Sequence, residues 1–270
     1  MIAGKTWREI RGVAIAYLII LEMLAIPVLM LWPDIYADLQ RSTLFGSRGV
    51  DWSKRPGSGI SNRNEEVAYL NWCAVMLFFR STNLVGTAAA VLIGTGLFAR
   101  ERESNTFEFL LARPVSRSSL LWQKFWPCAL VVTLPIFIIN ATAIPWSWSL
   151  ELDLPKWELF LASSHAAIFA LTILSLTMFA SIFVRVQAHV AAIVGAFLIL
   201  QIGMYLTQRI RPYSLFRLVD YDWYAPIMSG NTPAWQMFDP FRSHGFSTYL
   251  LLAAGLLYYL SWRVLKRTEP

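Results

Sequence analysis

The feature that most limits what this chain can fold into is the run from Val13 to Trp32, about twenty residues in which Glu22 is the only charge. A helix rises 1.5 Å per residue, so about 20 apolar residues cross the ~30 Å hydrocarbon layer of a bilayer. Lys5, Arg8 and Arg11 precede the run, as in a secretory leader. The run is longer than a leader's apolar region and no small-residue cleavage site follows it, so it is expected to be retained as a first span. Residues 1–12, with Trp7, Arg8, Glu9, Ile10 and Arg11, form an amphipathic pattern suited to the membrane surface.

Further runs at about 71–99, 125–146, 158–184, 190–207 and 246–262 meet the same length criterion. The expected fold is an all-α polytopic membrane protein, one transmembrane domain over 1–270. It has six transmembrane helices and a short charged hairpin, 100–124, between the second and third. Hydrophobic residues make up 56% of the chain, too many for an ordinary soluble domain. The net charge of +6 comes from basic residues scattered at the ends of apolar runs. That places them against lipid headgroups and argues against nucleic acid as a partner.

The hairpin is the most informative stretch. Arg100, Glu101, Arg102 and Glu103 can carry the second span into water, and Ser104 with Asn105 can end it, because Asn tolerates the left-handed backbone. Thr106 can cap a new short helix. Glu108 suits that helix's first turn, and Phe107, Leu110 and Leu111 give it an apolar face. Pro114 stops it, and Ser116 is placed to cap the next helix.

Glu101-Arg102-Glu103, Thr106, Glu108, Leu110-Leu111, Pro114-Val115-Ser116-Arg117 and Lys124 resemble the signature of ABC-2 type transporter permeases. Asn105 stands where that family usually has Gly. The resemblance implies that the hairpin is a coupling helix seated in a groove of a separate ABC ATPase subunit. Glu101, Arg102, Glu103, Thr106, Phe107, Glu108, Leu110, Leu111, Pro114 and Arg117 would then be the docking residues. It also implies a homodimer or heterodimer of permeases, with ATP and Mg held by the partner subunit and no cofactor on this chain. The location implied is the cell (inner) membrane, with cytoplasmic termini. The charge bias does not decide orientation, since twelve Lys and Arg fall on the face with the termini, ten on the other, and Arg80 on neither.

Within the spans, Glu22 needs a partner at bilayer depth, and Arg80 is geometrically allowed as one. Equally, Arg80 can snorkel to the headgroups. Thr82, Gly86, Ala90 and Gly94 form a stripe at four-residue spacing, a helix-packing face; Ala191 and Gly195 repeat that spacing in the fifth span. Cys73 and Cys128 fall near the starts of consecutive spans, on opposite faces, and are expected to form neither a disulfide nor a metal site. Ser164, His165, Thr172, Ser175 and Thr177 make the fourth span the most polar, and such residues bond within a bundle. Residues 33–69, with Gly46, Gly49, Pro56, Gly57 and Gly59, read as a loop of low order. Residues 208–245 are aromatic, including Tyr213, Phe216, Tyr221, Trp223, Tyr224, Trp235, Phe238 and Phe241. They suit either a gate for an amphipathic cargo or an interfacial belt.

No zinc-protease helix motif, nucleophile elbow or complete phosphate-binding loop occurs in the sequence, so catalysis by this chain is not expected. Two other classes stay open at this stage. One is a membrane-embedded enzyme acting on lipid-linked substrates through Asp220, Asp222, Asp239 and His244; the other is a non-transporting scaffold for an ATPase. Nothing in the spans selects a cargo.

Overall fold

The computed structural model describes residues 2–41, 64–107, 109, 115–230, 236, 238, 239, 241 and 246–267. Among them, helices are the only regular structure. In chain order these are α1 (Ile2–Met30), α2 (Trp32–Arg41), α3 (Asn64–Cys73), a π-helix (Ala74–Asn83), α4 (Leu84–Thr95), α5 (Ala99–Glu103), α6 (Arg117–Trp148), α7 (Lys156–Phe183) and α8 (Gln187–Leu206). Two 3-10 turns (Arg211–Tyr213, Leu215–Val219), α9 (Tyr221–Met228) and α10 (Phe246–Arg267) complete the order.

Among the described residues, six helical stretches are long and apolar enough to cross a membrane: Gly4–Met30, Glu65–Glu103, Arg117–Trp148, Lys156–Phe183, Gln187–Leu206 and Phe246–Arg267. The second and fourth are central, each with 72% of its apolar window buried, whereas the first, fifth and sixth bury only 22%. The outer spans instead present Ile15, Ile19 and Met23, Ile199 and Leu200, and Leu252 and Leu256 to the surroundings. Apolar faces of that extent suit a lipid environment. The third span carries its own depth gauge. Trp122 and Trp126 stack at its start, Trp146 and Trp148 are exposed at its end, and twenty residues of helix between Trp126 and Trp146 cover ~30 Å, one hydrocarbon thickness.

Small residues let the central spans meet. On α4, a methyl group at Gly94 would lie 2.7 Å from Thr177 Cβ of α7, and one at Gly86 would lie 3.2 Å from the Tyr17 hydroxyl of α1, with Ile136 and Ala170 behind it. Ala90 is fully buried between these two points. Gly195 of the fifth span faces open space, so its stripe is not used within the chain.

Four details differ from the sequence reading. The N-terminal stretch is no separate surface helix, because α1 runs unbroken from Ile2. Residues 33–41 and 64–69 are helical, and Trp32, 1% exposed, packs with Tyr36, Tyr69 and Trp72; aromatic packing overrides the loop-like composition there. Gly46, Gly49, Pro56, Gly57 and Gly59 lie outside the described residues. The third difference is the Glu22–Arg80 pair, which does not form. Glu22 accepts the Thr142 hydroxyl of α6 at 3.0 Å, while Arg80 is exposed beside Met76. Phe79 packs on Tyr205, one residue before α8 ends, so Arg80 sits level with a span terminus, the snorkelling arrangement. Last, ten residues of the second span are π-helical, and the Ser81 and Thr82 hydroxyls bond the carbonyls of Met76 and Leu77, five residues back. π-helical turns inside α-helices are frequent at functional sites.

Candidate functional site

Two ends of the bundle concentrate the polar chemistry. At the hairpin end, Gly96, Leu97 and Phe98 break the second span, and α5 restarts it for five residues. Asn105 ends α5 with φ 55°. Its N–H bonds the Arg102 carbonyl and the Thr106 N–H bonds the Glu101 carbonyl, the paired 5→2 and 6→1 bonds of a Schellman turn. This explains why Asn serves where a Gly is usual: only a residue at ease with a positive φ closes that turn. The Thr106 hydroxyl turns back to the Glu101 carbonyl and to Ser104. Across the hairpin, Ser116 accepts the Ser119 N–H and caps α6.

Among the described acidic residues of this stretch, Glu101 and Glu103 both bond within the chain. Glu101 Oε2 lies 2.5 Å from Lys124 Nζ, and Lys124, only 5% exposed, also donates to the Leu97 carbonyl at 2.6 Å. Lys5 of α1 reaches Glu101 at 3.9 Å. Glu103 accepts the Gln187 N–H, the first of α8, at 3.1 Å; Val186, the α8 cap residue, supplies no side-chain bond. The Gln187 side chain in turn donates to Thr95.

Aromatic residues divide between the two sides of the hairpin. Phe107 is 8% exposed, set edge-on against Phe98 and covered by the Arg102 guanidinium at 4.7 Å. Phe109 is 75% exposed. The apolar face expected for a partner therefore shifts: Phe107 is spent inside the chain, and Phe109, not singled out in the sequence, points away from it. Alternation was the available signal, since positions two apart on a helix face roughly opposite ways. Arg117 is half-buried at the start of α6. Glu108, Leu110, Leu111 and Pro114 lie outside the described residues.

At the other end, the aromatic stretch after α8 folds back into the bundle. Tyr224 is fully buried, stacks on Phe78 at 4.7 Å, accepts from the Asn83 amide at 3.0 Å and meets the His165 ring edge. His165 bonds Ser247 of the sixth span and the Leu218 carbonyl through its two ring nitrogens. Asp220, 1% exposed, caps α9 through the Tyr221 N–H and is gripped by Arg211, Arg217 and Tyr205; Arg217 also bonds Asp222. Burial works against the charge on Arg211, but Asp220 and Tyr205 overcome it and raise its pKa. Burial likewise opposes the charge on Arg217, and its bonds to Asp222 and Asp220 raise the pKa.

Phe216 and Tyr224 are inside, whereas Tyr213 and Phe241 are 77% and 97% exposed, so the stretch is part plug and part surface. The enzyme reading loses Asp220 to this structural grip, and His244, Trp235, Pro233 and Pro240 lie outside the described residues. Cys73 and Cys128 are both free and buried. Among the described residues no group of three or more His, Cys, Asp or Glu is placed to hold a metal ion.

Among the described residues, six helices long and apolar enough to cross a membrane, around a close-packed central pair, define a multi-pass membrane protein. A family model for ABC-2 family transporter proteins matches residues 12–215, three quarters of the chain. The chain belongs to that family and is a permease subunit of an ABC transporter. No curated protein matches it.

Proposed function

We propose that this permease is the membrane half of an ATP-driven exporter, powered by a separate ATPase subunit that docks on residues 100–124. ATP and Mg would sit on that subunit, and two permease chains, identical or different, would complete the assembly in the inner membrane with termini in the cytoplasm. The observation that supports this reading is the charged stretch between the second and third spans, with the Schellman turn at Asn105, the Ser116 cap and an exposed Phe109. An exposed aromatic beside charges is the usual make-up of a binding hot spot with a polar rim. Arg100, exposed at the start of α5, and Arg117 would steer association.

In the proposed cycle, closure of the ATPase subunits on ATP draws the two hairpins together and turns the spans from one facing to the other. The test is affinity purification of the chain from native membranes, with the co-purifying ATPase measured. Phe109→Asp should lower the captured ATPase at least about tenfold, as expected for a hot spot worth 1.4 kcal/mol or more, while membrane insertion is unchanged. Undiminished capture would remove the docking assignment.

A further inference from the structure

We propose that Glu101 and Glu103 form an internal clamp that ties the hairpin to the third and fifth spans at once, with Lys124 and the first turn of α8 as its two jaws. The inference builds on the docking reading and says how a pull on the hairpin reaches the membrane.

The geometry follows from spacing. Residues two apart on a helix point roughly opposite ways, so one short helix, α5, can present one carboxylate to each side. Glu101 goes to α6, where Lys124 sits between Trp122 and Trp126, the residues that mark the membrane boundary. Lys124 also holds the Leu97 carbonyl, inside the turn that separates α4 from α5. That single ammonium therefore binds the break in the second span and the short helix that follows it. Glu103 goes to α8, where its carboxylate meets the backbone N–H at the positive end of a twenty-residue helix that has no side-chain cap of its own. Arg102, between them, is turned to Phe107. A residue meant to meet a partner is not needed at either carboxylate, since each is already engaged. Glu101 and Glu103 are therefore positioning residues: they transmit motion and leave partner contact to the opposite face.

The test uses the full chain, with its co-purifying ATPase, in lipid nanodiscs, with Cys73 and Cys128 replaced by Ala. Spin labels are placed on Ser104→Cys in the hairpin and on either Ser149→Cys or Leu206→Cys, exposed positions at the far ends of the third and fifth spans. Both distance distributions should be narrow in the parent chain. Glu101→Gln should widen the hairpin-to-third-span distribution about twofold or more and leave the other alone; Glu103→Gln should do the reverse, as expected when a local tether is released. Glu101→Asp, which keeps the charge, should leave the first distribution narrower than Glu101→Gln does, which covers the case in which Glu101→Gln alone folds poorly. In the ATPase complex, trapping nucleotide with vanadate should shift both distances in the parent chain, but only the fifth-span distance in Glu101→Gln.

Both distributions unchanged in both variants, or both widened alike by either, would overturn the clamp. If the parent chain captures no ATPase, the docking reading fails by itself, and the two widths still decide the clamp.

Discussion

The two ends of this bundle are fastened by opposite chemistries. At the hairpin end, an ion pair and a carboxylate on a helix terminus join the spans. At the opposite end, Tyr224, Asn83 and His165 join them through ring contacts and neutral hydrogen bonds. Both fastenings lie near a membrane boundary: Lys124 is at the level of Trp122 and Trp126, and Tyr224 stacks on Phe78, two residues from Arg80. The contrast is therefore one of side-chain chemistry, a charged pair at one end and a neutral hub at the other. Where charge does return, at Asp220 with Arg211 and Arg217, the chain has left α8 and is back at a surface. A charged fastening is strong but depends on its geometry, and it stands where the proposed cycle would pass motion on. The neutral hub keys the returning segment to three spans.

Breaking the charged end should have the largest effect. Glu101→Leu leaves Lys124 buried without its counter-charge, and removal of one partner of a buried pair costs about 3–5 kcal/mol. Thermal unfolding in detergent should fall by more in this variant than in any other named below. At the packing face between the ends, Gly94→Val forces atoms into Thr177 and should cost about 1–3 kcal/mol, seen in the same assay, with Gly195→Val as the harmless control because that position is open.

At the neutral end, Tyr224→Phe keeps the ring stack but leaves the buried Asn83 amide with only the longer bond to the Val219 carbonyl, a loss of about 1–3 kcal/mol. Proteolysis between α8 and α10 should accelerate while the hairpin remains protected. Equal exposure of both ends would remove the contrast drawn here. The smallest effects belong to the hairpin turns. Ser116→Ala should cost about 1 kcal/mol as a lost helix cap. Asn105→Gly should change stability by only a few tenths of a kcal/mol, because glycine adopts the positive φ freely, whereas Asn105→Val should cost roughly 1–2 kcal/mol.

Much of this architecture is legible in the residues. Apolar run length alone marks six spans, and Ser116 and Asn105 act in the structure as their types suggest, because capping and positive φ are local properties. What could not be read depends on which helices become neighbours. Glu101 and Lys124 are both in the charged stretch, but only the packing of α5 on α6 shows that they spend their charges on each other. Phe107 looked like a partner contact for the same reason, since an amphipathic face does not say whether its cover is the same chain or another. Glu22 illustrates a third limit: depth arithmetic allowed Arg80, yet Thr142 on the adjoining helix was closer. The π-helix has no sequence signature that periodicity could reveal, and it decides which way Asn83 faces Tyr224.

The most direct test of the docking reading is a photocrosslinker placed in turn at positions 109 and 107, in native membranes, with the crosslinked product analysed by mass spectrometry. A crosslink from position 109 to an ATP-hydrolysing subunit, with position 107 crosslinking only within its own chain, is the predicted result. Crosslinks from position 109 to lipid alone, or to the ATPase from 107 and not from 109, would contradict it.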